Sequence, residues 1–517
     1  MNRNRMVDFL KFSPDIFDII IIGGGATGLG AAVDATSRGY RTLLLESHDF
    51  AKGTSSRSTK LIHGGLRYLQ QGNIKLVKEA LNERGILYKN APHLVKQLPF
   101  LIPTKNWVEN KYYQLGLKFY DSLAKDLSFK KSEVLSKEKV LAALPSFSET
   151  GIYGGVMYLD AQFDDARLAI TLAKTCVWLN GSVINYCPVT GLLKKNGKIN
   201  GVIAHDLINN EDYRLHAKVV INATGIFSDS ICQMDDPNSP KMIKPSQGVH
   251  LVFSKDVLGG DHAVIIPKTT DKRVLFLIPW HNHVLVGTTD TEVNKAVYEP
   301  IPLDSEIDFL IETASRYLKK QLVREDILSV FTGLRPLVSK AEKPTSKISR
   351  EHVIRQSKSN LITIIGGKWT TYRKMAEDVI DKAIEVASLK FYPSDTVNLK
   401  LYGYSEEINP MDILNVYGSE KEKITQIIRE NPELGNKLHP DLPYLAAEVI
   451  WACREEMAET LEDILARRTR ALFLNAKAAT EASKTVVNLM AAEKAKDETW
   501  KKNQLESIKN IFKNYGI

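Results

Sequence analysis

The first fifty residues have a pattern of apolar positions that predicts a strand, a helix and a second strand. Residues 17–22 are almost wholly apolar, a glycine-rich turn follows, residues 26–38 are rich in alanine, and residues 41–46 carry another apolar run. Short, continuous apolar runs are typical of parallel strands that are buried on both faces. The pattern therefore predicts a βαβ unit near the start of the chain.

The remaining chain shows three kinds of pattern. Residues 76–146 are mixed and mainly helical, with prolines as punctuation, and are interpreted as an insertion. Beyond residue 392 the pattern predicts helices only, including two long amphipathic stretches at 445–474 and 478–515. Between these parts, helices are predicted at 164–180 and 371–389, and strands at 182–213, 218–222, 249–253, 274–278, 283–287 and 361–365.

Composition narrows the class of protein. The 517 residues suffice for two or three domains, and 44% hydrophobic with 25% charged residues is ordinary globular usage. The uncharged stretch 19–33 is too short and too rich in glycine for a spanning helix, and residues 1–12 lack the apolar core of a secretory signal. We therefore expect neither a transmembrane segment nor secretion.

Cysteine and charge add weaker constraints. The four cysteines are scattered, without a CxxC pair or nearby histidines, which predicts no disulfide framework, no metal site and a reducing cytoplasm. The net charge of +8 is compatible with an anionic substrate, a membrane surface or nucleic acid, and charge alone does not choose among them.

A glycine-rich motif follows the first predicted strand. Gly23, Gly25 and Gly28 match GxGxxG with Ala26 and Thr27 between them, and Glu46 ends the next strand 18 residues after Gly28. The glycines permit a tight turn, close approach of a pyrophosphate and close helix packing, and the helix N-terminus attracts phosphate. The pattern predicts a dinucleotide site in which Glu46 holds ribose hydroxyls.

Three further small-residue loops favour FAD over NAD. Residues 53–58 form a hydroxyl-rich loop just beyond Glu46, and glycines follow apolar strands at Thr224-Gly225 and at Gly366-Gly367. Each pair taken singly is typical of a plain turn. Together, at strand ends, they supply the close backbone approaches that a long flavin nucleotide needs.

Longer motifs carry a resemblance to a known family. The segments GGGATGLGAAVDA (23–35), SSRSTKLIHGGLRYL (55–69), GLRPL (333–337) and GGKWTTYR (366–373) resemble the FAD-dependent glycerol-3-phosphate dehydrogenases. The likeness runs from about residue 16 to 390, and the helical tail is similar to that family's C-terminal domain. The resemblance implies non-covalent FAD, oxidation of sn-glycerol 3-phosphate to dihydroxyacetone phosphate by hydride transfer from C2 to flavin N5, and a membrane quinone as acceptor.

The resemblance also implies an α/β and α+β architecture. We expect a Rossmann-like FAD-binding domain of the glutathione-reductase or D-amino-acid oxidase type at 16–84, 151–235 and 335–390. A mixed-sheet substrate or cap domain is expected at 85–150 and 236–334, and an all-helical C-terminal domain at 391–517. The cofactor contacts expected by matching the motifs are Gly23, Gly25, Ala26, Thr27, Gly28, Glu46, Thr54, Ser55, Ser58, Lys60, Leu61, His63, Gly64, Gly65, Ala223, Thr224, Gly225, Gly333, Gly367, Lys368 and Thr370.

A phosphate dianion needs several fixed cations, best supplied by guanidinium groups and a lysine. The residues of this kind in or beside the motifs are Arg67, Arg335, Arg350 and Lys368, with Tyr68 as a hydroxyl donor. By resemblance they converge over the flavin ring. Arg350 has the weaker setting, because it also fits a simple pair with Glu351.

Removal of the C2 hydroxyl proton needs a base that titrates near neutrality. His250 alternates with apolar residues along a predicted strand and matches the family's active-site histidine, although the same pattern also suits a core histidine. Arg335 is a poorer proton acceptor because its guanidinium stays protonated. His63 is expected to contact the cofactor.

Two other functions stay open. A glycerol-3-phosphate oxidase that reduces O2 to H2O2 would use nearly the same site residues, and a non-enzymatic flavin-binding scaffold is a remote alternative. We expect no nucleic-acid partner, and a homodimer is compatible with the sequence.

Access to a quinone implies peripheral attachment to the inner face of the cytoplasmic membrane. Amphipathic stretches with basic residues are the features that bind lipid surfaces, although each also suits an ordinary surface helix. Three segments qualify: residues 1–12, 111–131 and 501–513.

Overall fold

The computed structural model describes residues 1–12, 16–70, 72–124, 129–267, 269, 274–338, 351–409 and 412–516, with the backbone alone for Phe12, Arg67 and Gln70. The strands, numbered in chain order, are β1 Phe17–Ile22, β2 Thr42–Leu45, β3 Leu61–Ile62, β4 Val95–Thr104, β5 Glu133–Ser136, β6 Gly154–Phe163, β7 Ser182–Ile184, β8 Val189–Lys195, β9 Lys198–Asp206, β10 Glu211–Asn222, β11 Ile243–Ser254, β12 Ala263–Ile266, β13 Leu275–Trp280, β14 His283–Gly287, β15 Thr291–Glu292, β16 Ser329–Val338, β17 His352–Gln356 and β18 Ile362–Gly366. The α-helices are α1 Arg3–Phe12, α2 Ala26–Ser37, α3 Leu66–Gln70, α4 Ile74–Asn90, α5 Trp107–Leu123, α6 Lys137–Ala143, α7 Asp165–Trp178, α8 Ser228–Asp235, α9 Asp304–Ser315, α10 Tyr372–Ala387, α11 Lys421–Glu430, α12 Ala446–Glu455, α13 Ala471–Leu474, α14 Ala476–Glu493 and α15 Glu498–Tyr515.

The first sheet is the predicted nucleotide-binding one. Its main path has the order β17-β18-β10-β1-β2-β7, parallel from β18 to β7, and the β8–β9 hairpin extends β10. Helix α2 packs between α7 and α10 on this sheet, so that Leu29, Ala31, Ala32 and Ala35 are buried. The βαβ unit predicted from the apolar pattern is therefore confirmed.

The second sheet is mostly antiparallel. Its main path runs β15-β11-β14-β13-β12-β4-β6-β3, with β16 paired to β11 and β5 paired to β6. The predicted insertion at 76–146 supplies β4, a strand that the prolines concealed. Pro99 and Pro103 have no backbone N–H to donate. β4 pairs with β12 only at Phe100 and Leu101, between these prolines, so neither proline has to donate a hydrogen bond to β12.

The helical C-terminal region corrects one expectation. The amphipathic stretch at 445–474 is not one helix but three pieces: α12, a π-helical turn at Asp463–Arg468 and α13. The break falls where Asp463, Arg467, Arg468 and Arg470 turn inward and are buried, with Arg470 at a φ of 60°. Buried charges require partners, and the three arginines find theirs in Asp49 and Asp165, which lie outside the C-terminal helices.

Two of the three segments expected to face a membrane pack inward instead. Helix α1 buries Val7 and Leu10, and its Arg3 pairs with Asp206 at 2.6 Å. Helix α15 buries Ile508 and packs on α14 and β16. The chain itself therefore covers part of each apolar stripe, although Phe9 of α1 stays 41% exposed.

The third segment keeps an exposed apolar face. On α5, Trp107, Val108, Tyr112, Leu115 and Phe119 are 45–67% exposed. Within the described residues, no helix combines the length and the hydropathy needed to cross a membrane.

A buried ion cluster joins the C-terminal helices to the loop after β2. Asp49 accepts hydrogen bonds from Arg467 Nε at 2.5 Å and from Arg468 Nη1 and Nη2 at 2.8 and 2.9 Å. Burial opposes the charge, but Arg468 and Arg467 hold the pKa of Asp49 below its ordinary value. The carboxylate is therefore ionised and is shared by two buried guanidinium groups, of which Arg467 also pairs with Glu462 and Asp463.

The first prediction concerns this cluster. Asp49→Ala removes the carboxylate that two buried guanidinium groups share, and we expect the free energy of unfolding to fall by about 3–5 kcal/mol. Asp261→Ala is the control, since Asp261 is 82% exposed and pairs with Lys255 at the surface, where a salt bridge contributes about 0–1 kcal/mol. Urea unfolding of both variants measures the difference, and equal losses would contradict the assigned role.

Candidate active site

A cavity of about 1070 Å³ is lined by residues of both sheets. It extends from Glu46 and Thr224, at the ends of β2 and β10, past His250 and Arg335 in the second sheet, to the side of α5. Most of the predicted site residues lie on its wall: Gly23, Gly25, Ala26, Thr27, Glu46, Thr54, Ser55, Ser58, Leu61, His63, Gly65, Tyr68, Ala223, Thr224, Gly225, His250, Gly333, Arg335, Gly367, Lys368 and Thr370.

The glycine-rich turn brings backbone amides to the cavity. Gly23 has a φ of +111°, and a Cβ there would lie 2.6 Å from the carbonyl oxygen of Ala223. Gly28 lies behind the wall, where a Cβ would lie 1.9 Å from the oxygen of Gly23, so α2 packs directly against the turn. Gly25, Ala26 and Thr27 line the cavity at the N-terminus of this 12-residue helix, a favourable place for a pyrophosphate.

Glu46 is tied to the same turn. Its Oε2 accepts from Gly24 N at 2.6 Å, and its Oε1 accepts from His48 N at 2.9 Å and from Ser47 Oγ at 3.1 Å. Burial raises the pKa of the carboxyl. A carboxylate accepts about four hydrogen bonds, so capacity is left for a ribose hydroxyl.

The hydroxyl-rich loop is held from two sides. Ser55 Oγ accepts from Ala26 N at 2.9 Å, and Thr54 Oγ1 donates to the carbonyl of Leu334 at 2.6 Å. Trp369 Nε1 donates to the carbonyl of Ser55 at 2.8 Å. The loop thereby joins the glycine-rich turn to β16 and to the segment after β18.

Besides Gly28, two further expected cofactor contacts lie behind the wall. Lys60 is fully buried with its Nζ 2.7 Å from Asp165 Oδ2 and from the carbonyl of Ser56, because a buried ammonium needs such partners. Burial lowers the pKa of Lys60 to about 7. Gly64 packs against Tyr120, whose hydroxyl accepts from Gly64 N at 2.9 Å.

His250 is buried, and its ring is fixed on several sides. The ring stacks on Phe331 at 4.8 Å with an interplanar angle of 9°, and a Cβ on Gly287 would lie 2.3 Å from its Cδ2. Its Nε2 is 3.0 Å from Thr59 Oγ1. Burial, together with the charges of Lys60 and Arg335, lowers the pKa of His250 well below 6.5, so the imidazole is neutral at pH 7.

Arg335 comes from the strand beside His250, and Gly248 leaves room for it. A Cβ on Gly248 would lie 2.3 Å from Arg335 Nη2. This Nη2 donates to Thr288 Oγ1 and to the carbonyl of Thr289, both at 3.0 Å, and Nη1 donates to the carbonyl of Gln247 at 3.2 Å. The positive charge therefore lies on the cavity wall and is oriented by the protein.

Lys368 and Tyr68 meet on the same cavity. Lys368 Nζ lies 4.0 Å from the centroid of the Tyr68 ring, and Gly65, at a φ of +81°, leaves room for that ring because a Cβ would lie 2.5 Å from it. The side chain of Arg67 and all of Arg350 lie outside the described residues, so their expected roles stay predictions.

Several wall residues were not predicted. Thr59 and Trp369 lie inside the quoted motifs. The Thr59 hydroxyl and the Trp369 indole N–H are hydrogen-bonding groups by which the sequence could have indicated them. Tyr298, Thr288 and Asp290 lie outside every motif and come to the wall only through the fold.

Part of the cavity wall, here termed the apolar branch, is built from apolar side chains, several of which belong to α5. Its lining includes Leu66, Leu69, Ile74, Ile102, Tyr112, Tyr113, Leu115, Leu117, Phe119, Val274 and Phe276. The exposed apolar face of α5 is continuous with this branch, because Tyr112, Leu115 and Phe119 belong to both.

The chain is similar to known oxidoreductases. It matches the family described as "FAD dependent oxidoreductase" over residues 18–373 and the "C-terminal domain of alpha-glycerophosphate oxidase" over residues 357–501. It is 39% identical to the human mitochondrial glycerol-3-phosphate dehydrogenase over an alignment of 533 residues. The alignment covers 96% of this chain and 73% of the human protein.

Solved structures agree with this likeness. The glycerol-3-phosphate dehydrogenase from Bacillus halodurans complexed with FAD has a TM-score of 0.81 at 28% identity, covering 99% of this chain and 97% of that chain. The L-alpha-glycerophosphate oxidase from Mycoplasma pneumoniae has a TM-score of 0.56 at 20% identity, covering 74% and 98%, and supports the fold alone.

The second prediction tests the glycine-rich turn. In Gly28→Ala the added methyl group meets the carbonyl of Gly23, so the turn has to open, and we expect the purified protein to lack bound flavin. Gly116→Ala is the control, because a Cβ there meets no atom within 4 Å. Flavin absorbance per protein measures the result, and full occupancy in Gly28→Ala would place the cofactor elsewhere.

Proposed function

The chain belongs to the family of FAD-dependent oxidoreductases, and we propose that it oxidises sn-glycerol 3-phosphate to dihydroxyacetone phosphate and passes the electrons to a membrane quinone. Family membership confirms non-covalent FAD as the cofactor and an enzyme rather than an inactive scaffold. The observation that carries the proposed substrate is that His250, Arg335, Lys368 and Tyr68 share one cavity wall with the glycine-rich turn.

The charges on this wall suit a phosphorylated alcohol. A buried phosphate dianion needs more than one cation, and Arg335 and Lys368 bring two to the same cavity. Because the Arg335 guanidinium is already held by Thr288 and Thr289, it contributes mainly as an oriented charge. Lys368, beside the Tyr68 hydroxyphenyl group, adds a point charge next to a hydrogen-bonding side chain.

His250 is proposed as the base for the C2 hydroxyl. The hydrogen on C2 and its two electrons go to FAD, which is the chemistry that the cofactor supplies. His250 Nδ1 is buried, so the proposed proton acceptor is Nε2, which lies 3.0 Å from Thr59 Oγ1 of the cavity wall. A neutral imidazole takes the hydroxyl proton on Nε2, and the nearby dianion stabilises the imidazolium that forms.

The third prediction is that His250→Asn keeps FAD but slows its reduction by glycerol 3-phosphate about 10²- to 10⁴-fold, the usual contribution of a positioned acid or base. The control is His283→Asn, since His283 is a buried histidine of β14 whose Nδ1 lies 2.8 Å from the carbonyl of His281, away from the cavity wall. Anaerobic stopped-flow absorbance measures both rates. An unchanged rate in His250→Asn would assign the proton to another group.

The proposed quinone acceptor rests on the apolar branch and on α5. Trp107 and Val108 are 60% and 67% exposed, and Lys111 and Lys118 on the same helix are exposed. An exposed apolar face with neighbouring lysines is the arrangement that binds lipid surfaces. A lipid-soluble acceptor would enter the branch from that surface, with the enzyme attached peripherally to the inner face of the cytoplasmic membrane.

The fourth prediction is that the double variant Trp107→Glu, Val108→Glu fails to sediment with anionic liposomes and loses activity with a long-chain quinone in them. Activity with a water-soluble dye should persist, because neither residue lines the cavity and acidic residues suit a helix N-terminus. The matched control is Phe391→Glu, Val397→Glu, which adds the same charge at residues that are 64% and 42% exposed. Wild-type protein that stays in the supernatant and releases peroxide at the rate of substrate oxidation would instead establish the oxidase.

A further inference from the structure

The segment between β14 and α9, residues 288–303, extends along the cavity and is here termed the strap. At its start, Thr288 Oγ1 and the carbonyl of Thr289 accept the hydrogen bonds of Arg335. Farther along, Tyr298 reaches Ser47, the residue after Glu46, with the two hydroxyl oxygens 3.1 Å apart. One segment of the second sheet thus contacts both the part of the cavity at Arg335 and the part at Glu46. The part at Glu46 is here termed the nucleotide end.

The strap is anchored by a buried carboxylate. Glu306 Oε1 accepts from Thr289 Oγ1 at 2.7 Å and from Thr291 Oγ1 at 2.6 Å, and its Oε2 accepts from Leu303 N at 3.1 Å and Gln247 Nε2 at 2.7 Å. Both ends of the strap are therefore fixed to one side chain of α9. The middle of the strap is held by other contacts.

Tyr298 is held between two aromatic rings. Its centroid lies 4.2 Å from Phe227, in a stacked arrangement, and 4.1 Å from His48. The adjacent Glu299 accepts from Arg57 Nη2 at 2.7 Å and lies 3.4 Å from Lys52 Nζ. Phe227 follows the turn at Thr224-Gly225, so the Tyr298 ring lies against both loops expected to hold the nucleotide.

We infer that Tyr298 is a cofactor-retaining residue, which closes the nucleotide end of the cavity and slows release of FAD. The inference rests on the proposed placement of the FAD ribose at Glu46. For the nucleotide to leave by this end, the Tyr298 ring has to separate from Phe227 and His48 together. Because Tyr298 belongs to the strap, the substrate-binding sheet itself holds the cofactor in the nucleotide-binding sheet.

The fifth prediction is that Tyr298→Ala releases FAD about ten-fold faster, since two aromatic contacts are lost, whereas Tyr298→Phe stays within about three-fold of wild type. Val297→Ala is the matched control on the same strap, and its release rate should equal wild type. The readout is the fluorescence of free flavin after dilution of the holoenzyme, which needs no turnover. KM for glycerol 3-phosphate should be unchanged in Tyr298→Ala.

The outcomes separate this inference from its premise. A wild-type release rate in Tyr298→Ala, or a raised KM with unchanged release, would overturn the retaining role while the proposed reaction stands. Glu46→Ala tests the premise separately: we expect weaker FAD binding, and unchanged binding would move the ribose away from Glu46 and overturn the inference with it.

Discussion

Buried carboxylates hold the cavity wall from behind, and Asp165 is the central one. It begins α7 and accepts hydrogen bonds from Ser58 N and Oγ, Lys60 Nζ and Arg470 Nη2 at 2.7–3.1 Å. A buried charge without a partner costs several kcal/mol, so the hydroxyl-rich loop, α7 and the C-terminal helices have to meet here. Thr59, between two residues of this cluster, is thereby held against His250.

This constraint explains why the C-terminal helices matter to a site that they do not line. Among the described residues, none beyond Met375 belongs to the cavity wall. Arg467, Arg468 and Arg470 nevertheless pair with Asp49 and Asp165, which lie beside the hydroxyl-rich loop of the cavity wall. The helical domain therefore supports the geometry of the site through buried charge rather than through contact with ligands.

Strand register in the second sheet places His250 and Arg335 on the cavity wall. In the pairing of β11 with β16, His250 lies opposite Phe331 and Gly248 opposite Gly333. The His250 imidazole stacks on Phe331 in the space left by the missing side chain of Gly287. The Arg335 guanidinium lies in the space left by the missing side chain of Gly248. The strap then extends from this ladder to the nucleotide end, so that both sheets share one cavity.

The sequence by itself determined the βαβ unit, the glycine-rich turn with Glu46, the motifs that carry Arg335 and Lys368, and the alternating strand that carries His250, because each of these signals is confined to a few neighbouring residues. Only the tertiary structure decided that β4 is a strand, that α1 and α15 turn part of their apolar stripes inward while α5 keeps an exposed apolar face, and that Lys60 turns away from the cavity. It also brought Tyr298 to Ser47, 251 residues away. The physical reason is that periodicity shows that a face is apolar or a side chain charged, whereas the partner that buries or neutralises it comes from a distant part of the chain.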